Sequence, residues 1–315
     1  MRINHNIAAL NAYRNLEINN ENTSKSLEKL SSGLRINRAA DDAAGLAISE
    51  KMRSQIRGLD MAGRNALDGV SVVQTADGAL NSTQEILQRM RELSVQSASD
   101  SNTDTDRQEI QKEVNQLTSE INRIANTTEF NTGKLLDGSK QGANALNFQI
   151  GANAGQTVSL EIGDMSATAL AVSSNTGSPT AGNTITLSDG TTQATVWYTT
   201  TAGADNGLAP GTPQNALDVT SNQKAQAAIT VIDDAIQRVS SERAHLGAVQ
   251  NRLEYTVDNL KTMNENVTSS ESRIRDVDMA EEMTNFTKNN ILNQAAQAML
   301  SQANQLPQGV LQLLK

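Results

Sequence analysis

Proline stands at only four positions, 179, 210, 213 and 307, in a chain of 315 residues. Because proline breaks helix interiors, the long Pro-free stretches on either side of 179–213 are free to run as helices. Lys and Arg draw the same partition: none occurs from Gln141 to Gln223, while charges of both signs are dense on both flanks. The sequence therefore divides into two helical flanks around a non-helical insertion.

The flanks carry apolar residues at alternating steps of three and four. Ile229, Ile232, Ile236, Val239, Leu246, Leu253, Val257 and Leu260 form one such stripe, with Arg243 and Gln250 as polar interruptions. Ile110, Val114, Leu117, Ile121 and Ile124 keep the same rhythm, as do Ile48, Met52, Ile56 and Leu59. This is the spacing of helices that bury a seam against other helices. A single helix from Asn222 to Glu265 would reach about 65 Å at 1.5 Å per residue, too long for a compact domain to cover. It is expected to pair with the N-terminal helices. The fold class that follows is mainly α: an elongated antiparallel helical bundle or coiled coil of the two flanks. The low aromatic share, 2%, agrees with narrow seams better than with a wide core.

Inside the insertion the period changes to two. Leu146, Phe148 and Ile150 alternate, then Val158, Leu160 and Ile162, around the loop GANAGQT. That pattern predicts a β-hairpin over 144–163. TITLSDGTTQATVWY predicts a second, with Asp189-Gly190 at its turn. Residues 166–221 are otherwise rich in Ser, Thr, Gly and Ala, with Trp197 and Tyr198 to pack, and read as a small β-rich outer domain. In the N-terminal flank, Gly33 is placed to end one helix in the left-handed conformation, and Asp41 or Asp42 to cap the next. The adjacent acids lack a third ligand at metal spacing and read as caps.

Several function classes lose support at this point. The net charge of −9 opposes nucleic-acid binding. With no cysteine there is neither thiol catalysis nor a thiolate metal site. His5 and His245, the only histidines, have no catalytic or HExxH context, and no phosphate loop occurs. No catalytic residue, cofactor or metal is expected. Asp233-Asp234 and Glu281-Glu282 read as solvated helix faces. The first residues lack the unbroken apolar core of a cleaved signal peptide, and no window has the roughly 20 consecutive apolar residues of a membrane span. Neither membrane insertion nor the general secretory route is expected. Both ends are nevertheless apolar. Ile3, Ile7, Leu10, Tyr13 and Leu16 lie on the first helix, and Leu306, Val310, Leu311, Leu313 and Leu314 crowd the last residues. Such faces would be exposed in a monomer and prone to associate.

The strings MRINHNIAALNA, LSSGLRINRAADDAAGLAISEKMRSQIRGL, LQRMRELSVQSA, TEFNTGKLLDG, NFQIGANAGQ and RAHLGAVQNRLE resemble bacterial flagellin, as does the ending ESRIRDVDMAEEMTNFTKNNILNQAAQAMLSQANQLPQGVLQLL. The resemblance covers roughly 1–165 and 222–315. It implies a non-enzymatic subunit of the extracellular flagellar filament, polymerising with itself for motility. Three regions are implied: an inner-core helical domain of 1–44 with 270–315, a rod of 45–165 with 222–269, and a variable outer domain of 166–221. Export through the flagellar type III apparatus without a cleaved signal is implied, with the flagellar cap, junction proteins and an export chaperone as partners. So is recognition by a host flagellin-sensing Toll-like receptor and a cytosolic sensor. By resemblance, receptor and subunit contacts fall at Arg89, Leu93 and Glu113, with Met90 and Ser94 where many recognised flagellins have Val and Ala. Assembly, chaperone and sensor contacts fall at the termini, on Ile3, Ile7, Leu10, Val310, Leu311, Leu313 and Leu314. Two rivals use the same features: the hook-filament junction protein, which shares the terminal helices, and a cytoplasmic coiled-coil signalling or adaptor protein. An enzymatic flagellin with a metallopeptidase insertion would need the HExxH that 141–223 lacks.

Overall fold

The structure is a computed structural model, and it describes residues 6–174, 183–186, 193–199, 204–205 and 213–313. Ile3, His5, Leu314 and the Asp189-Gly190 turn lie outside the described residues. Among the described residues five α-helices carry the fold: α1 Ile7–Ser32, α2 Ala43–Ser97, α3 Asp104–Thr127, α4 Asn222–Arg275 and α5 Met279–Leu313. Between α3 and α4 lie the short strands β1 Glu129–Phe130, β2 Gly133–Lys134, β3 Leu146–Gln149, β4 Thr157–Leu160, β5 Ser173–Ser174, β6 Asn183–Thr186, β7 Gln193–Val196, β8 Ala204–Asp205 and β9 Pro213–Ala216. The chain forms two compact units, one of 1–58 with 262–315 and one of 59–261.

The unit of 59–261 is built on three seams. On α2 the seam runs Leu59, Ala62, Ala66, Gly69, Val73, Ala76, Leu80, Thr83, Leu87, Met90, Ser94 and Ser97, an unbroken alternation of three and four, with Val70, Val72 and Leu93 buried beside it. On α3 the expected stripe is buried at Ile110, Val114, Ile121 and Ile124, with Leu117 half-buried. On α4, Ile232, Val239, Leu246, Leu253, Val257 and Leu260 are buried as expected. Ile229 and Ile236 are only half-buried, because Ala225, Ala228 and Ala235 take the closest positions. The interruption at Arg243 is satisfied: Nε donates to Asp77 and Nη1 to Gln84, both at 2.8 Å. Helix α4 runs to Arg275, past the expected end at Glu265, since no Gly or Pro stands between Gly247 and Pro307 to stop it.

Strands β3 and β4 pair antiparallel with Leu146 opposite Leu160 and Phe148 opposite Val158. This is the hairpin that the alternation predicts, and Phe148 packs on the helical core. Strands β6 and β7 pair as the second predicted hairpin, from Asn183–Val196 to Thr186–Gln193. A three-stranded sheet ordered β5-β9-β8 lies within the inserted segment. It is fastened to α3 by side chains that bond main chain. Gln111 donates to the Leu217 carbonyl and accepts from the Val219 N–H, both at 2.8 Å. Asn122 accepts from the Ala167 N–H at 3.1 Å and donates to Gln214. Buried Tyr198 donates its hydroxyl to the Ala171 carbonyl at 3.0 Å, and burial pushes its pKa up to about 12.

Candidate assembly interface

The unit of 1–58 with 262–315 pairs α1 with α5. The turn out of α1 is closed by Gly33 at φ 72°, whose N–H reaches the Lys29 carbonyl at 2.9 Å. The next residue, Leu34, forms an antiparallel bridge with Asp276. Arg35 N–H donates to the Arg275 carbonyl at 2.7 Å, and Val277 N–H to the Gly33 carbonyl at 3.1 Å. The Arg275 guanidinium pairs with Glu50 and holds that carboxyl below its ordinary range. Of the two candidate caps, Asp42 serves α2, its Oδ1 accepting from Gly45 N–H at 2.8 Å. Asp41 instead accepts from the backbone of Asn37 and Arg38, and the Arg38 N–H foremost keeps its carboxyl below the usual range. Both acids are thus committed to backbone, and among the described residues no cluster of metal-ligating side chains occurs.

The pairing of α1 and α5 takes Leu16 from the apolar face of α1 and leaves Ile7, Leu10 and Tyr13 open, as expected of a monomer. Residues of α1 turned inward are Ala9, Ala12, Leu16, Asn19, Thr23, Ser26 and Leu30. Those of α5 are Phe286, Asn289, Asn293, Ala296, Leu300 and Ala303. Both sets step by three and four, so each is a seam, yet half of it is small or polar. Ile7, Leu10 and Tyr13 are 64%, 60% and 58% exposed, and Ile291 and Met299 are 61% and 65% exposed. Ile48 is exposed as well, and Met52 and Ile56 are half-buried, so that stripe buries fully only at Leu59. The backbone of Val310, Leu311 and Leu313 continues α5, but their side chains lie outside the described residues. This unit therefore turns a largely small and polar seam inward and leaves Ile7, Leu10, Tyr13, Ile291 and Met299 exposed.

On the other unit, Arg89 projects from α2 and joins α3. Its Nε donates to Glu113 at 3.0 Å and its Nη1 to Glu92 at 3.1 Å, and Glu113, then Glu92, raises the guanidinium pKa further. Arg89 and Glu113 keep about half their side-chain surface open. Arg89 also lines a groove of about 610 Å³ between α2 and α3, with Glu85, Ile86, Glu120 and Arg123. Leu93 departs from the expected surface contact: it is 2% exposed and belongs to the core. Met90 and Ser94 are also fully buried in the α2 seam, so their departures from Val and Ala alter packing beneath the patch. Asp234 is another correction to a solvated face, 7% exposed and bonded to Arg238 at 2.8 Å.

Residues 3–141 match the family model of the bacterial flagellin N-terminal helical region, and residues 229–314 that of the bacterial flagellin C-terminal helical region. Flagellin of Bacillus subtilis (strain 168) is 55% identical, with both chains covered in full. The chain belongs to the bacterial flagellin family. Flagellin of Halalkalibacterium halodurans is 49% identical and the flagellar filament 33 kDa core protein of Treponema phagedenis 45% identical, each over the whole of both chains. A crystal structure of Bacillus cereus flagellin matches 62% of this chain and 88% of its own, at 27% identity and a TM-score of 0.43. As a flagellin, the chain is a structural subunit of the flagellar filament. The two matched regions contain α1, α2, α3 and α5 and nearly all of α4, so every helical seam described above lies mainly in flagellin sequence. The residues missed by reading large apolar side chains alone are the small and polar seam positions of this flagellin, above all Thr23, Ser26 and Asn293. Their signal was the same three-four spacing, carried by Ala, Ser, Thr and Asn.

Proposed function

We propose that this flagellin polymerises with copies of itself through the outward faces of its paired terminal helices, with Ile3, Ile7, Leu10, Val310, Leu311, Leu313 and Leu314 in the assembly contacts. The observation that carries this reading is the exposure of Ile7, Leu10, Tyr13, Ile291 and Met299 around a polar seam. Burying one such side chain stabilises by about 1.5–3 kcal/mol, so several together offset the entropy cost of ordering a helix end. The role is structural and non-enzymatic. Residues 1–44 with 270–315 form the filament's inner core, 45–165 with 222–269 a rod, and 166–221 face outward. Deleting Gly309–Lys315 leaves a soluble monomer that does not polymerise; normal filaments from that truncation under the electron microscope would refute this. Elongation of filament seeds by the purified chain separates a filament subunit from a hook-filament junction protein.

The same reading takes the subunit through the flagellar type III apparatus, held by an export chaperone and placed beneath the cap. For the monomer, it assigns host Toll-like-receptor contact to the Arg89–Glu113 pair, with buried Leu93 supporting the patch from beneath, and cytosolic-sensor contact to the apolar C-terminal residues. Arg89→Ala with Glu113→Ala is expected to reduce receptor signalling in a reporter cell line. Equal signalling from parent and double variant removes the assignment.

A further inference from the structure

Helix α5 continues through Pro307, which has no N–H to give the carbonyl four residues earlier. That carbonyl belongs to Ala303, itself 7% exposed. It is taken from outside the helix by the Asn6 side chain, whose Nδ2 donates to it at 2.7 Å. The same side chain caps α1, its Oδ1 accepting from Ala9 N–H at 3.1 Å. A second polar contact crosses the seam. Asn293, 9% exposed, donates from Nδ2 to Thr23 Oγ1 at 2.9 Å, and the Thr23 hydroxyl passes its own proton to the Asn19 carbonyl at 2.7 Å. The buried Asn293 Oδ1 has no hydrogen-bond partner.

We propose that these two contacts fix the register of α1 against α5, and that Pro307 creates the mark Asn6 reads. Seam stripes of three-four spacing repeat every seven residues, so small side chains alone let the helices slip by one heptad with little loss. Both polar contacts forbid it. A slip of seven in either direction sets Asn293 against Leu16 or Leu30 in place of Thr23. It also sets Asn6 beside residue 296 or 310 and leaves the Ala303 carbonyl unpaired. Asn293 and the Ala303 carbonyl are then buried polar groups without these partners, and half-buried Asn6 loses its acceptor. A polar residue in a seam costs stability and specifies one alignment.

The natural chain has no cysteine, so introduced pairs report register without background. Ala9→Cys with Ala303→Cys reports the native alignment, and Ala9→Cys with Ala296→Cys a slip of one heptad. Oxidation of the full-length chain, in solution and in filaments, is read as intramolecular disulfide on non-reducing gels. Asn6→Ala is expected to raise the ratio of slipped to native product about tenfold, the factor corresponding to one hydrogen bond of about 1.4 kcal/mol. In a Pro307→Ala background, where residue 307 regains its N–H, the same Asn6→Ala should change the ratio less than about twofold. Asn293→Leu with Thr23→Val should raise the ratio independently. An equal effect of Asn6→Ala with and without Pro307 would overturn the role of the proline. An unchanged ratio, or loss of both products together, would overturn register selection, since these residues would then only hold the pair together.

Discussion

Gln111→Ala tests how the segment returning from the insertion is held to α3. The parent amide, 7% exposed, makes two bonds to the main chain of the returning segment, to the Leu217 carbonyl and from the Val219 N–H. Leu217 and Val219 are themselves fully buried. Truncation leaves a buried acceptor and a buried donor unpaired at about 1–3 kcal/mol each, so a loss of about 3 kcal/mol is expected. With an m-value of roughly 2 kcal/mol per M in urea, the midpoint falls by about 1.5 M. Trp197 is the only tryptophan, and its carbonyl accepts from Asp218 N–H at 2.9 Å, so its fluorescence reports this segment while far-UV circular dichroism reports the helices. Lys112→Ala, at an exposed neighbouring position, should stay within about 0.5 kcal/mol of the parent. A Gln111→Ala chain as close to the parent as that control would refute the reasoning.

Gly45→Ala should destabilise although it replaces glycine inside a helix, because the new Cβ would lie 2.4 Å from Asp42 Oδ2 and 2.8 Å from Ile36 Cδ1, displacing a cap and a buried side chain. Gly63→Ala, with nothing within 4 Å, should stabilise by about 0.5–1 kcal/mol, and thermal melts of the two variants should move in opposite directions. Tyr198 makes the outer segment alkali-sensitive: its folded pKa of about 12 lies above the free value, so its contribution is complete below pH 10 and is lost as pH rises from 10 toward 12. That contribution is of the order of 2–3 kcal/mol, and Tyr198→Phe should remove most of this pH dependence in urea titrations between pH 9 and 12.

Large apolar side chains at heptad spacing made Ile232, Val239, Leu246, Leu253 and the α3 stripe legible in the sequence, because only a buried seam rewards such a pattern. Period-two alternation located both hairpins for the same reason. The left-handed Gly33 and the Asp42 cap were legible because few residues tolerate those backbone positions. What could not be read was burial carried by small side chains. Seven of the twelve α2 seam positions are alanine, glycine, serine or threonine, and residues that bury little surface leave no hydrophobic signal even when wholly enclosed. Leu93 looked like a surface contact by resemblance, but its place one residue before Ser94 on a closely packed α2 face puts it in the core.

The terminal helices invert the usual inference from hydrophobicity to burial. Ile7, Leu10 and Tyr13 read as a face exposed in a monomer, and within one subunit they are the face α1 leaves open. A chain built to pair its ends with each other alone would put those side chains in the seam, where they would stabilise the monomer. With Asn19, Thr23, Ser26 and Asn293 there instead, the proposed register contacts occupy the seam and the large apolar side chains stay exposed. Pro307 follows the same logic: it removes one bond from inside α5 and transfers that acceptor to Asn6 on α1. On the proposed reading, both places exchange intrachain stability for specificity of pairing.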